Sequence, residues 1–240
     1  MALIGAPNSG KSTLTNALVG AKVSIVTHKA QTTRGPVRGI VLAGDAQVIL
    51  VDTPGIFQPK RRLDRAMSQA AWDRAGDADM VALVVDAARG LDDKLAPIVE
   101  HLPELNRPVI AVLNKVDLVK KPELLKLTSE LIELKAFSEI FMVSALTGDG
   151  VDDLRAYLAG AVAEGPWLFP EDQLSDASLR QTAAEITREK LFLRLHEELP
   201  YALTVESTEW KVLKDKSVRI EQTIFVERES QRRIVLGAKG

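Results

Sequence analysis

Eight consecutive residues, Gly5-Ala6-Pro7-Asn8-Ser9-Gly10-Lys11-Ser12, carry the residue types and spacing that hold a polyphosphate. Glycines let backbone N–H groups converge on phosphate oxygens, and a helix that starts where the loop ends adds positive potential. Lys11 then reaches the β- and γ-phosphates, the Ser12 hydroxyl ligates Mg2+, and Thr13 completes the phosphate-binding run. A chance glycine-rich turn is the competing explanation, and it does not account for eight matching positions between a strand and a helix.

Two further loops follow apolar runs. Asp52-Thr53-Pro54-Gly55 places a carboxylate where it holds Mg2+ through water, and a Gly55 N–H where it senses the γ-phosphate, with Ile56 beside it. Asn114-Lys115-Val116-Asp117 supplies a carboxylate that accepts from both N1–H and the 2-amino group of guanine. Adenine lacks that donor pair, so Asp117 sets GTP against ATP, while Asn114 and Lys115 brace the base and the loop. Ser144-Ala145-Leu146 follows the last apolar run and offers a backbone N–H to guanine O6, although such a tripeptide taken alone is an ordinary strand exit. Gln31-Thr32-Thr33-Arg34 lies in a polar link, and a hydroxyl there completes the Mg2+ shell only when the γ-phosphate is present. Thr33 is favoured over Thr32 for that role. The metal set is therefore Ser12, Thr33 and Asp52, and the catalytic set Lys11, Thr33, Gly55 and Asn8. Ile56 stands where an enzyme of the Ras type has a water-orienting glutamine, and it cannot do that work.

These loops need a scaffold that delivers strand ends to one place. Apolar runs at Val37–Leu42, Gln47–Val51, Met80–Val85, Val109–Leu113 and Ile140–Val143 alternate with helical patterns at Lys11–Val19, Arg62–Arg74, Asp92–His101, Pro122–Leu134 and Val151–Val162. Such alternation predicts an α/β domain over residues 1–165, a mostly parallel sheet with helices on both faces. The Gly44-Asp45 turn is too short for a crossover, so its two strands are antiparallel. Residues 166–176, with Pro166 and Pro170, read as an interdomain linker. Beyond it the pattern changes to a long helix at Ala177–Leu199, alternating strands at Leu203–Trp210 and Lys216–Glu227, and a helix restarting at Arg232. This is an α+β domain over 177–240, with 12 Lys and Arg against 10 Asp and Glu in a chain whose net charge is −2.

The motifs at Gly5–Ser12, Gln31–Arg34, Asp52–Gly55, Asn114–Asp117 and Ser144–Leu146 resemble the translation-factor-related P-loop GTPases. Within them, Gln31-Thr32-Thr33-Arg34 resembles the branch that includes Era, EngA and the tRNA-modification GTPase. The ending Arg232-Arg233-Ile234-Val235-Leu236-Gly237-Ala238-Lys239-Gly240 resembles the helix and Gly-x-x-Gly loop of a type II KH domain, a loop that clamps single-stranded RNA. With that domain, the connector and Lys60–Met67, the resemblance is to the Era GTPases over the whole chain. It implies a slow GTPase binding GTP or GDP with Mg2+, and RNA contacts at Arg233, Gly237, Ala238, Lys239 and Gly240. It also implies the 3′ end of small-subunit ribosomal RNA and the small ribosomal subunit as partners, and a monomer in the cytoplasm with loose peripheral association with the inner membrane. Some members of the branch use K+ held partly by an asparagine at the position of Asn8. A helix and a strand that complete a KH fold are absent after Gly240, so a shortened second domain with weak RNA binding is expected. Two rival readings are another GTPase of the branch, acting in tRNA modification, and a nucleotide-gated binding module with negligible turnover.

Composition narrows the field further. The 240 residues are 46% apolar and contain no cysteine, which excludes disulfides, zinc-cysteine sites and thiol catalysis. No apolar run reaches the length of a membrane span. His28, His101 and His196 lack metal-ligand spacing, and Trp72, Trp167 and Trp210 are read as packing residues.

Overall fold

The computed structural model describes residues 1–29, 32–57 and 62–237. Gln31, Lys60, Arg61, Ala238, Lys239 and Gly240, named above, therefore lie outside the described residues. The chain divides into two compact units, one of residues 1–24 and 33–176, the other of residues 25–32 and 177–240.

The first unit is built on strands β1 (Ala2–Ile4), β2 (Val37–Ala43), β3 (Ala46–Asp52), β4 (Val81–Asp86), β5 (Val109–Asn114) and β6 (Ile140–Val143). Its helices are α1 (Lys11–Val19), α2 (Arg62–Asp77), α3 (Ala96–His101), α4 (Lys121–Glu133) and α5 (Val151–Ala161). The strand order is β2-β3-β1-β4-β5-β6, all parallel except β2, which pairs antiparallel with β3 through the Gly44 turn. Every residue of β4 and β5 is buried, as an interior parallel strand covered on both faces must be. Alternate strand residues serve opposite faces. Ile4, Leu83 and Leu113 pack with Ala71 of α2, Ile98 of α3 and Leu131 of α4; Leu3, Val84 and Val112 pack with Leu14 of α1 and Leu154 of α5.

Helix α3 begins later than the pattern at Asp92 suggests. The Asp92 carboxylate instead accepts from the N–H groups of Lys94 and Leu95, which makes a turn and delays the helix. The segment 166–176 is not a free linker. Strand β2 is an edge with unpaired backbone groups, and Leu174 accepts the Ile40 N–H at 2.9 Å while Gly39 and Ser175 form a bridge. Gln47 donates to Phe169 O and accepts from the Leu168 and Phe169 N–H groups, and Trp167 Nε1 donates to Asp45 O. Pro166 and Pro170 do break the strand–helix alternation, but residues up to Asp176 are held by the first unit.

The second unit contains α6 (Leu179–Arg194), strands β7 (Leu203–Val212) and β8 (Val218–Val226) and α7 (Glu229–Leu236). Ser178 and Gln181 form a reciprocal capping box that starts α6 two residues after the expected position. The helix also ends at Arg194 rather than Leu199. The ammonium of Lys29 donates to the carbonyls of Phe192 and Leu195, satisfying last-turn acceptors that a longer helix would have used internally. The core is small: Ala184, Leu203 and Val205 with Leu191, Leu195 and Val226 around them. Strands β7 and β8 pair antiparallel with an irregularity between Ser207 and Glu209, and Val218, Ile220 and Ile224 of the alternating face are exposed. Among the described residues no helix is long and apolar enough to cross a membrane.

Candidate nucleotide site

The carboxyl ends of β1, β3, β4, β5 and β6 share one edge of the sheet, where open α/β folds place ligands. Residues 5–10 loop from β1 into α1. Gly10 has φ 96°, and a Cβ there would fall 2.1 Å from Asn114 Nδ2, so only glycine lets the loop approach β5 this closely. Lys11 is buried and folds back over the loop, donating to the carbonyls of Gly5 and Ala6, each at 3.0 Å. Burial lowers its pKa to about 8, against the opposing pull of the Asp52 charge. An anion seated in the loop would reverse that penalty.

Asp52, at the end of β3, is fully buried, and among the described residues neither carboxylate oxygen has a hydrogen-bond partner. Burial raises its pKa, while the hydroxyls of Ser12, Ser24 and Thr33 and the Lys11 ammonium pull it down. These hydroxyls face the carboxylate without closing a bond to it. The Ser12 and Thr33 hydroxyls meet each other at 3.0 Å. Thr32 turns elsewhere: its Oγ1 lies 2.6 Å from Thr27 Oγ1 and donates to Lys29 O. An unpartnered buried carboxylate beside two converging hydroxyls is an all-oxygen donor set, which fits Mg2+.

The Asp52–Gly55 turn is pinned by Thr53 Oγ1, which donates to Leu3 O at 2.7 Å. A Cβ on Gly55 would sit 2.8 Å from Pro7 Cα, so this turn touches the phosphate loop. The Ile56 N–H donates to Gly5 O at 3.0 Å, while its side chain is buried in the core with Ile4 and Leu95. Ile56 thus commits its side chain to the core and anchors the turn.

Asn114 ties three loops together. Its Nδ2 donates to Ser9 O at 2.9 Å, and its Oδ1 accepts the Ala145 N–H at 3.0 Å. The Ser144 N–H donates to Asp149 O, so two N–H groups of the Ser144–Leu146 run are committed within the protein. Lys115, at φ 67°, donates to Asn8 O at 2.7 Å and pairs with Asp86 Oδ2 at 2.5 Å. Asp117 lies in the short 3-10 turn Val116–Leu118 with its side chain exposed. Asp86 was not singled out in the sequence. Its position at the end of an apolar run was the available signal, and the β4–β5 register, which aligns Asp86 with Asn114, makes it matter.

In the second unit, Arg233 is exposed on α7 and its carbonyl accepts the Gly237 N–H. Gly237, at φ 79°, ends the helix.

A family model described as "50S ribosome-binding GTPase" matches residues 1–115, and one described as "KH domain" matches residues 198–240. The GTPase Era of Afipia carboxidovorans is 61% identical over 240 residues, which is all of this chain and 78% of that protein. The chain belongs to the Era family of GTPases. Era of Brucella suis is 60% identical, over all of this chain and 77% of its own length. Among solved structures, Era in complex with MgGDPNP and nucleotides 1506–1542 of 16S ribosomal RNA superposes with a TM-score of 0.93. It is 38% identical and is matched over 99% of this chain and 82% of its own. An Aquifex aeolicus Era variant bound to GDP and aluminium fluoride gives the same TM-score and identity, over 100% and 82%. An Era GTPase binds GTP with Mg2+ and hydrolyses it to GDP and phosphate.

Proposed function

We propose that the first unit binds GTP·Mg2+ at the loops of residues 5–13, 52–56, 114–117 and 144–146, and that the bound nucleotide governs engagement of ribosomal RNA by the second unit. The buried, unpartnered Asp52 carboxylate beside the Ser12–Thr33 hydroxyl pair carries this reading. Mg2+ held there would neutralise charge between the outer phosphates. Lys11 leaves the Gly5 and Ala6 carbonyls to contact the β- and γ-phosphates, Asp117 accepts from the guanine edge, and Asn114 and Lys115 hold the base loop against the phosphate loop. Thr33 and the Gly55 N–H respond to the γ-phosphate.

With Ile56 turned into the core, the position after the Asp52–Gly55 turn supplies no side chain that orients water. Asn8 would help hold a K+ ion, which would supply positive charge to the outer phosphates in the part an arginine finger plays elsewhere. The RNA is the 3′-end region of the small-subunit ribosomal RNA, as in the relative solved with that segment. Arg233 and Gly237, with Ala238, Lys239 and Gly240, form the RNA-contacting run. The protein assists small-subunit assembly as a monomer in the cytoplasm, with peripheral attachment to the inner membrane.

The test is GTP turnover in KCl and in NaCl, with and without an oligonucleotide of the ribosomal RNA 3′ end. Turnover that is slow alone, faster in K+ and faster again with RNA is expected. Equal rates in both salts would remove Asn8 and K+ from the account, and RNA indifference would remove the coupling.

A further inference from the structure

We infer that Arg188, a buried arginine on α6 of the second unit, is a positioning residue for Thr33 in GTP hydrolysis; this rests on the nucleotide reading above. Residues 25–32 belong to the second unit although they fall between α1 and β2 in sequence. Helix α6 holds this strap at three points. The Val26 N–H donates to Glu189 Oε1 at 2.9 Å, the Lys29 ammonium donates to the carbonyls of Phe192 and Leu195, and Arg188 Nη2 donates to Thr32 O at 2.7 Å. Thr27 and Thr32 bond to each other through their hydroxyls.

Arg188 makes a poor choice as a purely stabilising group. It is 2% exposed, and its carboxylate partner Glu185 is 42% exposed, so a guanidinium has been taken out of water with only partial ionic compensation. The remaining compensation comes from the Phe192 ring, 5.2 Å from the guanidinium carbon, and from the Thr32 carbonyl. That carbonyl belongs to the peptide group joining Thr32 to Thr33. A peptide group is planar, so fixing Thr32 O fixes the Thr33 Cα to which it is rigidly linked. The Thr33 hydroxyl in turn meets Ser12 Oγ at 3.0 Å beside Asp52. The covalent chain itself thus links the carbonyl that Arg188 holds to the residue whose hydroxyl responds to the γ-phosphate. Coupling of this kind is reciprocal, so loss of the Arg188 bond alters Thr33, and a γ-phosphate that captures Thr33 alters the hold of Arg188 on Thr32 O.

The experiment compares the 240-residue protein with its Arg188→Ala, Arg188→Lys and Lys29→Met variants. The readouts are kcat and KM for GTP, affinity for GDP, and hydrogen exchange of amides 26–34 in the nucleotide-free protein. Misplacing a responding group by about an ångström lowers turnover by about tenfold to a hundredfold, so Arg188→Ala is expected to lose at least about tenfold in kcat. GDP affinity stays unchanged, because Lys11, Asn114 and Asp117 are untouched, and exchange at 26–29, 32 and 33 accelerates. Arg188→Lys, which keeps one donor, falls between. A kcat that falls only in step with GDP affinity would reveal general loosening and overturn the inference. Lys29→Met releases the same strap without emptying a buried arginine site, so if Arg188→Ala fails to fold, unchanged kcat in Lys29→Met overturns the inference. Absence of turnover in the unsubstituted protein would contradict the nucleotide reading itself, whereas normal turnover in all four proteins would contradict only the role of Arg188.

Discussion

The two units place their chemistry on different kinds of scaffold. In the first, five parallel strands end at one edge, and the loops of residues 5–12, 52–55, 114–117 and 144–146 each begin where one of these strands ends. Lys11, Asp52 and Asn114 are consequently buried, and their positions are set by a core that extends on both faces of the sheet. In the second, a two-stranded ribbon and two helices share a core of a few residues, and much of β8 is exposed. A rigid, closed site suits chemistry that needs charge held within fractions of an ångström. A shallow, open surface suits a long flexible partner such as single-stranded RNA. The strap of residues 25–32 shows that the division is not one of sequence order, since the second unit holds a piece of chain embedded in the first unit's sequence.

Substitutions at the base loop should break this contrast most sharply. Asp117→Asn exchanges an acceptor for a donor at the purine edge, and preference is expected to move from GTP to xanthosine triphosphate by about a thousandfold, as competition binding would measure. Retained GTP preference would mean that Asp117 does not read the base. Core truncation comes next. Leu83→Ala, at a position with no exposure, should destabilise the first unit by about 2–5 kcal/mol in urea unfolding. Val218→Ala on the exposed face of β8 should change stability by less than about 0.5 kcal/mol. Comparable losses at the two sites would erase the distinction drawn here.

The nucleotide site was largely legible because its chemistry lies in contiguous loops, each flagged by an apolar run that breaks at a polar residue. Gly5–Ser12, Asp52–Gly55 and Asn114–Asp117 all fall at strand ends, and the antiparallel β2–β3 pair followed from the length of its turn. What stayed hidden depends on tertiary neighbours. The pairing of Asp86 with Lys115 exists only through the register of β4 and β5. The early end of α6 depends on Lys29, far away in sequence, and the docking of residues 166–176 depends on an edge strand with unpaired N–H groups. The sequence favoured Thr33 over Thr32, and it is the Thr33 hydroxyl that meets Ser12 while that of Thr32 meets Thr27.

Smaller effects sharpen the picture of how the loops are braced. Asn114→Ala strands the Ser9 carbonyl and the Ala145 N–H, each worth about 1–3 kcal/mol when left unpaired, so GDP affinity should fall by roughly 10-fold to 100-fold. Affinity within error of the parent would mean that these loops are held by something other than Asn114. Asp86→Asn should have the smallest effect. The Lys115 partner is 30% exposed, so the ion pair is partly screened, and a loss of about threefold in GDP affinity is expected. Isothermal titration would resolve it, and a loss as large as that of Asn114→Ala would make Asp86 a principal brace.

The most direct test of the nucleotide site is a Mg2+ titration of GTP affinity in the parent protein and in Asp52→Asn, which keeps the shape of the buried side chain and removes its charge. The parent's affinity should rise by at least about tenfold as Mg2+ saturates, and the variant's should stay flat, since a charged metal contact of this kind contributes well over 1 kcal/mol. An equal rise in Asp52→Asn would contradict the placement of the metal at the end of β3.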